Sequence, residues 1–97
     1  MDEVDAGFYE RADSHIQLSN DQLRGEPSRG KVNASMMYAT ARFNAYVSAW
    51  GAASAEQMAA DREKIITYFL EQYRFMLEEH VDDHISNFST YIKVGSQ

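Results

Sequence analysis

Apolar residues recur along this chain at spacings of three and four, the period of an amphipathic helix. Phe8, Ala12, His15, Ile16, Ser19 and Leu23 fall on one face of a first segment. Val32, Met36, Ala39, Phe43, Tyr46, Val47 and Trp50 form the face of large side chains in a second. Met58, Ile65, Phe69, Tyr73, Met76, Leu77, His80, His84, Phe88 and Tyr91 continue one stripe through a third. There is no alternating strand pattern and no internal repeat. The breaks are marked by residue type. Arg24-Gly25-Glu26-Pro27-Ser28 puts a glycine at a helix end and a proline just beyond it. Gly51 suits a second end, and Ser54 with Gln57 three residues on makes a capping box. Asp5 is the candidate cap of the first helix. The predicted helices are 6–24, 29–51, 54–80 and 82–93, the last two forming one long helix if the chain does not bend between them.

Length decides how the third segment is read. A continuous helix of about 39 residues would be about 58 Å long, against a radius of gyration of about 12–13 Å for a compact chain of this size. One solution is a bend near Glu79-His80-Val81-Asp82-Asp83-His84, where propensity is weakest and Asp82 or Asp83 caps a fourth helix. The other is a helix that runs on, its overhang of Ile85, Phe88, Tyr91 and Ile92 covered by another subunit. Both linkers are short, so successive helices are expected to pack antiparallel. The expected fold is an all-α antiparallel bundle of three to four helices, one domain over residues 1–97. The large face of the second helix is its expected core, with Phe43 and Trp50 almost fully buried against Ile65, Phe69 and Tyr73.

Composition narrows the function classes. With 97 residues there is room for one domain. With no cysteine there is no disulfide, no thiolate metal site and no cysteine nucleophile. A net charge of −6 argues against a general binder of nucleic acid or of anionic membranes. That charge is unevenly divided: −4 over residues 1–24, +2 over 25–51 and −4 over 52–97. The middle helix is thus the attractive partner of both outer ones, at about 0–1 kcal/mol per exposed pair. The stretch Val32 to Ala55, with Arg42 its only charged side chain, has the length of a membrane span. It is too rich in Ala, Ser, Thr, Asn and Tyr to be one, and reads as a helix buried in protein. The acidic start, Met1 to Asp5, is unlike a secretory signal, so a cytoplasmic location is expected.

The candidate chemistry is sparse. His80 and His84 share a helix face with Asp83 beside them, a spacing that zinc or iron sites use. Helical metal proteins add carboxylates in Glu-x-x-His pairs, and this chain has none. The plain reading puts both histidines at the edge of an apolar stripe, and His15 is most simply a packed residue. Tyr38, Arg42 and Tyr46 stand at successive i, i+4 positions, where the arginine stacks on a ring or pairs, buried, with an acid of a neighbouring helix. No nucleophile elbow and no glycine-rich phosphate loop is present. No catalytic residue and no cofactor is expected. Association has the stronger signal. Opposite the large face of the second helix lie Ala41, Ala45 and Ser48, small residues that let another helix approach. Together with Ile85, Phe88 and Ile92 they are the candidate interface. The expected function is that of a non-enzymatic interaction module, a homodimer or other homo-oligomer, with an unidentified protein partner as a further possibility. The alternative is a small-ligand or metal-binding helical protein using His80 and His84.

Phe8-Tyr9-Glu10-Arg11-Ala12-Asp13-Ser14-His15-Ile16 with Ser19-Asn20-Asp21-Gln22, the run Ala34 to Ala45, and Phe69-x-Glu71-Gln72-Tyr73 together carry a resemblance. They resemble a family of short bacterial proteins labelled only as a domain of unknown function. The resemblance covers nearly the whole chain and implies a small stand-alone helical protein, with no activity to carry over.

Overall fold

A computed structural model describes residues 4–25 and 28–92. Every regular element among them is helical: α1 (Phe8–Leu23), α2 (Arg29–Trp50), α3 (Ala55–Ala60), α4 (Arg62–Ser86) and α5 (Phe88–Tyr91). The chain divides into two compact units, one reaching Met58 and the other beginning at Ala59.

In the first unit, α1 starts at Gly7 rather than on an Asp5 cap. Asp5 still shapes this start. Its carbonyl accepts from Phe8 N at 3.1 Å, and its carboxylate pairs with Arg11 at 2.7 Å. A Cβ on Gly7 would lie 2.9 Å from Arg11 Nη1, so glycine leaves the guanidinium room to fold back. α2 begins on Ser28, whose hydroxyl accepts from Lys31 N at 3.3 Å. It ends at Gly51, which stays right-handed with φ −89°. Ser54 then starts α3 as the capping box requires: its hydroxyl accepts from Gln57 N at 3.0 Å. α1 and α2 touch, and Ser19 Oγ lies 3.8 Å from Met36 Sδ.

In the second unit, the chain is helical on both sides of Asp61, a one-residue interruption with φ −95° and ψ 6°. No glycine or proline marks this place, so the pattern 54–80 does not show it. α4 then runs without a bend through His80, Asp82 and His84 to Ser86, and neither aspartate caps a fourth helix. Residues 79–84 contain no Gly or Pro, and propensity differences below about 0.7 kcal/mol per residue do not break a helix already propagating. The stop comes at Asn87 (φ −117°, ψ 26°). Its backbone N donates to Asp83 O at 3.0 Å, and its side-chain amide donates to the same carbonyl at 3.1 Å. The four residues of α5 follow in place of a helix 82–93, whose residues from 93 onward lie outside those described.

The core is far smaller than the pattern implies. Val32, 6% exposed, is the one buried residue among those described. Phe43 is 62% exposed and Trp50 76% within the first unit, and the side chains expected against them, Ile65, Phe69 and Tyr73, belong to the second. Ile65 and Phe69 are half-buried and Tyr73 is exposed. The reason is visible on α2. On the large face of α2, Val32 is buried and Met36 half-buried where α1 meets it, while Ala39, Phe43, Tyr46, Val47 and Trp50 of that face are exposed. Among the described residues, no helix is long and apolar enough to cross a membrane.

Candidate functional site

Of the residues singled out for chemistry, His80, Asp83 and His84 lie toward the end of α4, where it gives way to α5. Asn87 interrupts the helix, and the Tyr91 side chain of α5 reaches Asp83, eight residues before it. Its hydroxyl lies 3.0 and 3.3 Å from the two carboxylate oxygens of Asp83, to which it donates. The Asn87 amide donates to the same carboxylate at 2.9 Å. The Tyr91 ring tilts against the His84 imidazole, with centroids 4.8 Å apart. His84 Nδ1 is 2.7 Å from the His80 carbonyl, a bond that fits a protonated Nδ1. The Asp83 hydrogen bond raises the Tyr91 hydroxyl above its ordinary value of 10.0.

This arrangement closes a helix end. Asp83 spends its lone pairs on Asn87 and Tyr91, and His84 spends Nδ1 on the backbone of its own helix. Among the described residues there is no group of three or more His, Asp or Glu side chains placed to hold a metal. His15 is exposed on α1. The Asp83–Tyr91 bond was missed in the sequence, though its signal was there: an acid and a tyrosine eight residues apart, flanking an asparagine that ends a helix.

On α2, Arg42 stacks over Tyr38 at 5.0 Å from the ring centroid, and its Nη2 approaches the hydroxyl at 3.4 Å. It is exposed, not buried, and has no carboxylate partner among the described residues. Tyr38, Ala39, Arg42, Phe43 and Tyr46 together line an open groove along this side of α2. α4 carries a second open groove, lined by Leu70, Tyr73, Leu77 and Val81 together with Glu71, Asp82 and the Arg74–Glu78 ion pair. The candidate interface residues are spread more widely. Ala41 and Ala45 are exposed and Ser48 is half-buried, its hydroxyl bonded to Asn44 O at 2.9 Å. Ile85, Phe88 and Ile92 are exposed at and beyond the end of α4.

Residues 8–85 match the profile of a family described as "Protein of unknown function (DUF3144)". The chain belongs to this family. A solved structure described as the NMR structure of the protein NB7890A from Shewanella sp. is 36% identical to the chain. The similarity covers 91% of this chain and 93% of that one, with a TM-score of 0.77. No curated protein matches the chain significantly. Membership therefore comes with an all-α fold and no assigned activity, and function must be argued from what the helices expose.

Proposed function

We propose that this chain is a non-enzymatic helical interaction module that works as a homo-oligomer, most simply a two-fold dimer, in the cytoplasm. In the assembled state its helices form an antiparallel bundle in which residues 1–97 act as one domain. One observation carries the reading. Among the described residues, twenty-two large apolar or aromatic side chains are exposed, and only Val32 is buried. Folded monomers do expose apolar atoms, but they rarely leave runs of Phe, Tyr, Trp and Leu along whole helix faces open to water. A small chain that cannot build enough core by itself is commonly stabilised by oligomerisation.

Two features support a covered surface over a reactive one. The Asp83 carboxylate is engaged by Asn87 and Tyr91 of its own chain segment. The exposed apolar positions continue the three- and four-residue spacing of the helices, as a seam for another helix does. Ile85, Phe88 and Ile92 belong to the surface to be covered, and Ala41, Ala45 and Ser48 offer close approach on α2. The test is thermal unfolding across a hundredfold dilution. A homo-oligomer that shares its core melts at lower temperature as it is diluted, because assembly stabilises the fold by mass action. A melting temperature independent of concentration would exclude a shared core.

A further inference from the structure

The interruption between α4 and α5 turns on Asn87 and Asp83. Asn87, with φ −117° and ψ 26°, leaves the helical region, yet its backbone N still donates to its helical acceptor, Asp83 O, at 3.0 Å. Beyond it the ladder restarts. Thr90 N and Tyr91 N both donate to Asn87 O at 3.0 Å, and Ile92 N donates to Phe88 O at 2.8 Å. Phe88 N and Ser89 N, between these, have no backbone acceptor among the described residues. In an unbroken helix they would donate to His84 O and Ile85 O. The interruption thus omits two rungs of the ladder.

Side-chain contacts offset that loss. The Asn87 amide donates to Asp83 O at 3.1 Å and to its carboxylate at 2.9 Å, and the Tyr91 hydroxyl donates to the same carboxylate at 3.0 Å. The Tyr91 and His84 rings stand 4.8 Å apart. Both Tyr91 contacts belong to the broken form. In an unbroken helix about 12 Å of rise separates residues 83 and 91, and about 10.5 Å separates 84 and 91. Side chains on one helix lean the same way, so those separations are not closed. The sequence does not forbid the unbroken form: residues 86–92 contain no Gly or Pro. Nor does it secure that form, because Asn87, Ser89 and Thr90 are weak helix formers. Two helix rungs set against a few surface contacts leave the two forms close in free energy, since each such bond is worth little net of water.

We propose that Asn87 is a two-state joint: in one state its bonds and those of Tyr91 to Asp83 keep α5 separate, and in the other a single helix runs from Arg62 to Tyr91. The joint lies wholly within the second unit and does not depend on whether the chain associates. Its consequence is a surface. Ile85, Phe88 and Ile92 stand at spacings of three and four, so the straight form gathers them on one helix face. The broken form leaves Ile85 on α4 and the other two beyond the interruption. The joint sets whether these three exposed side chains act as one surface.

Nuclear magnetic resonance of the full chain tests it. The parent should show a nuclear Overhauser contact between the rings of residues 84 and 91, with microsecond-to-millisecond exchange at residues 87–91. Asn87→Ala combined with Tyr91→Phe removes the side-chain bonds to Asp83 and supplies the best helix former. In that variant the ring contact should vanish. The amides of Phe88 and Ser89 should exchange about tenfold more slowly or better, because they now donate to His84 O and Ile85 O. Asn87→Gly with Tyr91→Phe loses the same bonds but disfavours helix, and its two amides should stay unprotected. Both substituted side chains are exposed, and circular dichroism of each variant checks that helix content is kept. Unprotected amides at Phe88 and Ser89 in the alanine variant would overturn the proposal, because the cluster would then be a plain helix end. A ring contact that survives there would overturn it as well, because the break would not depend on those bonds. A parent with no exchange at residues 87–91 would contradict it by showing one static form.

Discussion

At the scale of single residues, three side chains make separable commitments. The Arg11 hydrogen bond holds the Asp5 carboxyl below its ordinary 3.8. A group depressed on folding contributes stability above its unfolded pKa and loses it as pH falls through the folded value. The first turn of α1 should therefore loosen on acidification below 3.8, read as faster amide exchange at Phe8 and Arg11, whose amides bond to Asp5 and Gly7 carbonyls. Asp5→Asn should show that looser turn already at neutral pH, and an unchanged turn would mean the pair is incidental. Tyr91 runs the opposite way. Its hydroxyl is raised above 10.0, so its bond to Asp83 contributes fully below that pH and is lost as pH rises through the folded pKa. A phenolate absorbance titration of Tyr91, isolated by comparison with Tyr91→Phe, should give a midpoint above 10.0. A midpoint at or below it would break the helix-end cluster described for α4. Val32, the one buried residue, gives the third prediction. Val32→Ala should cost about 1.5–2.5 kcal/mol, from two buried methyl-equivalents and the cavity left behind.

At the scale of elements, legibility followed the strength of the local signal. α2 begins at Arg29 as the pattern predicts and ends within one residue of its predicted limit, because Ser28 and Gly51 are local signals of a helix start and stop. The Ser54 box was legible for the same reason. The Asp61 interruption carried no breaker residue. The bend placed at 79–84 rested on weak propensity, which an established helix overrides. Asn87 was the true stop, and its effect depends on a side-chain bond to the Asp83 carbonyl that the hydrophobic pattern does not encode. Burial was the least legible property. Periodicity names the face a helix will cover but not what covers it: Phe43 and Trp50 are exposed in the first unit, and the side chains expected against them belong to the second. Phe43→Ala follows from this. In a core within one chain it would cost about 3–5 kcal/mol. If a second copy covers Phe43, as the proposed assembly has it, the loss should instead grow with protein concentration, appearing as a lower melting temperature only where the parent is assembled. An equal loss at every concentration would return Phe43 to an intramolecular core.

For the whole molecule, the distribution of polar and apolar surface separates two kinds of protein. A metal or ligand protein concentrates unsatisfied polar groups in a recess. Here His80, Asp83 and His84 form no such recess, and Asp83 is held by Asn87 and Tyr91. A chelator should leave the melting temperature unchanged in protein purified without a histidine tag, and a chelator-sensitive melt would revive the metal reading. An association module spreads apolar side chains along helix faces and edges them with charge, as α2 and α4 do. The most direct measurement of this central claim is the mass of the unmodified chain by sedimentation equilibrium at micromolar concentration. A shared-core dimer requires about 22 kDa, twice the 11.1 kDa chain, dissociating on dilution with loss of helix signal. A fully helical, cooperatively melting species of 11.1 kDa across the same range would contradict it.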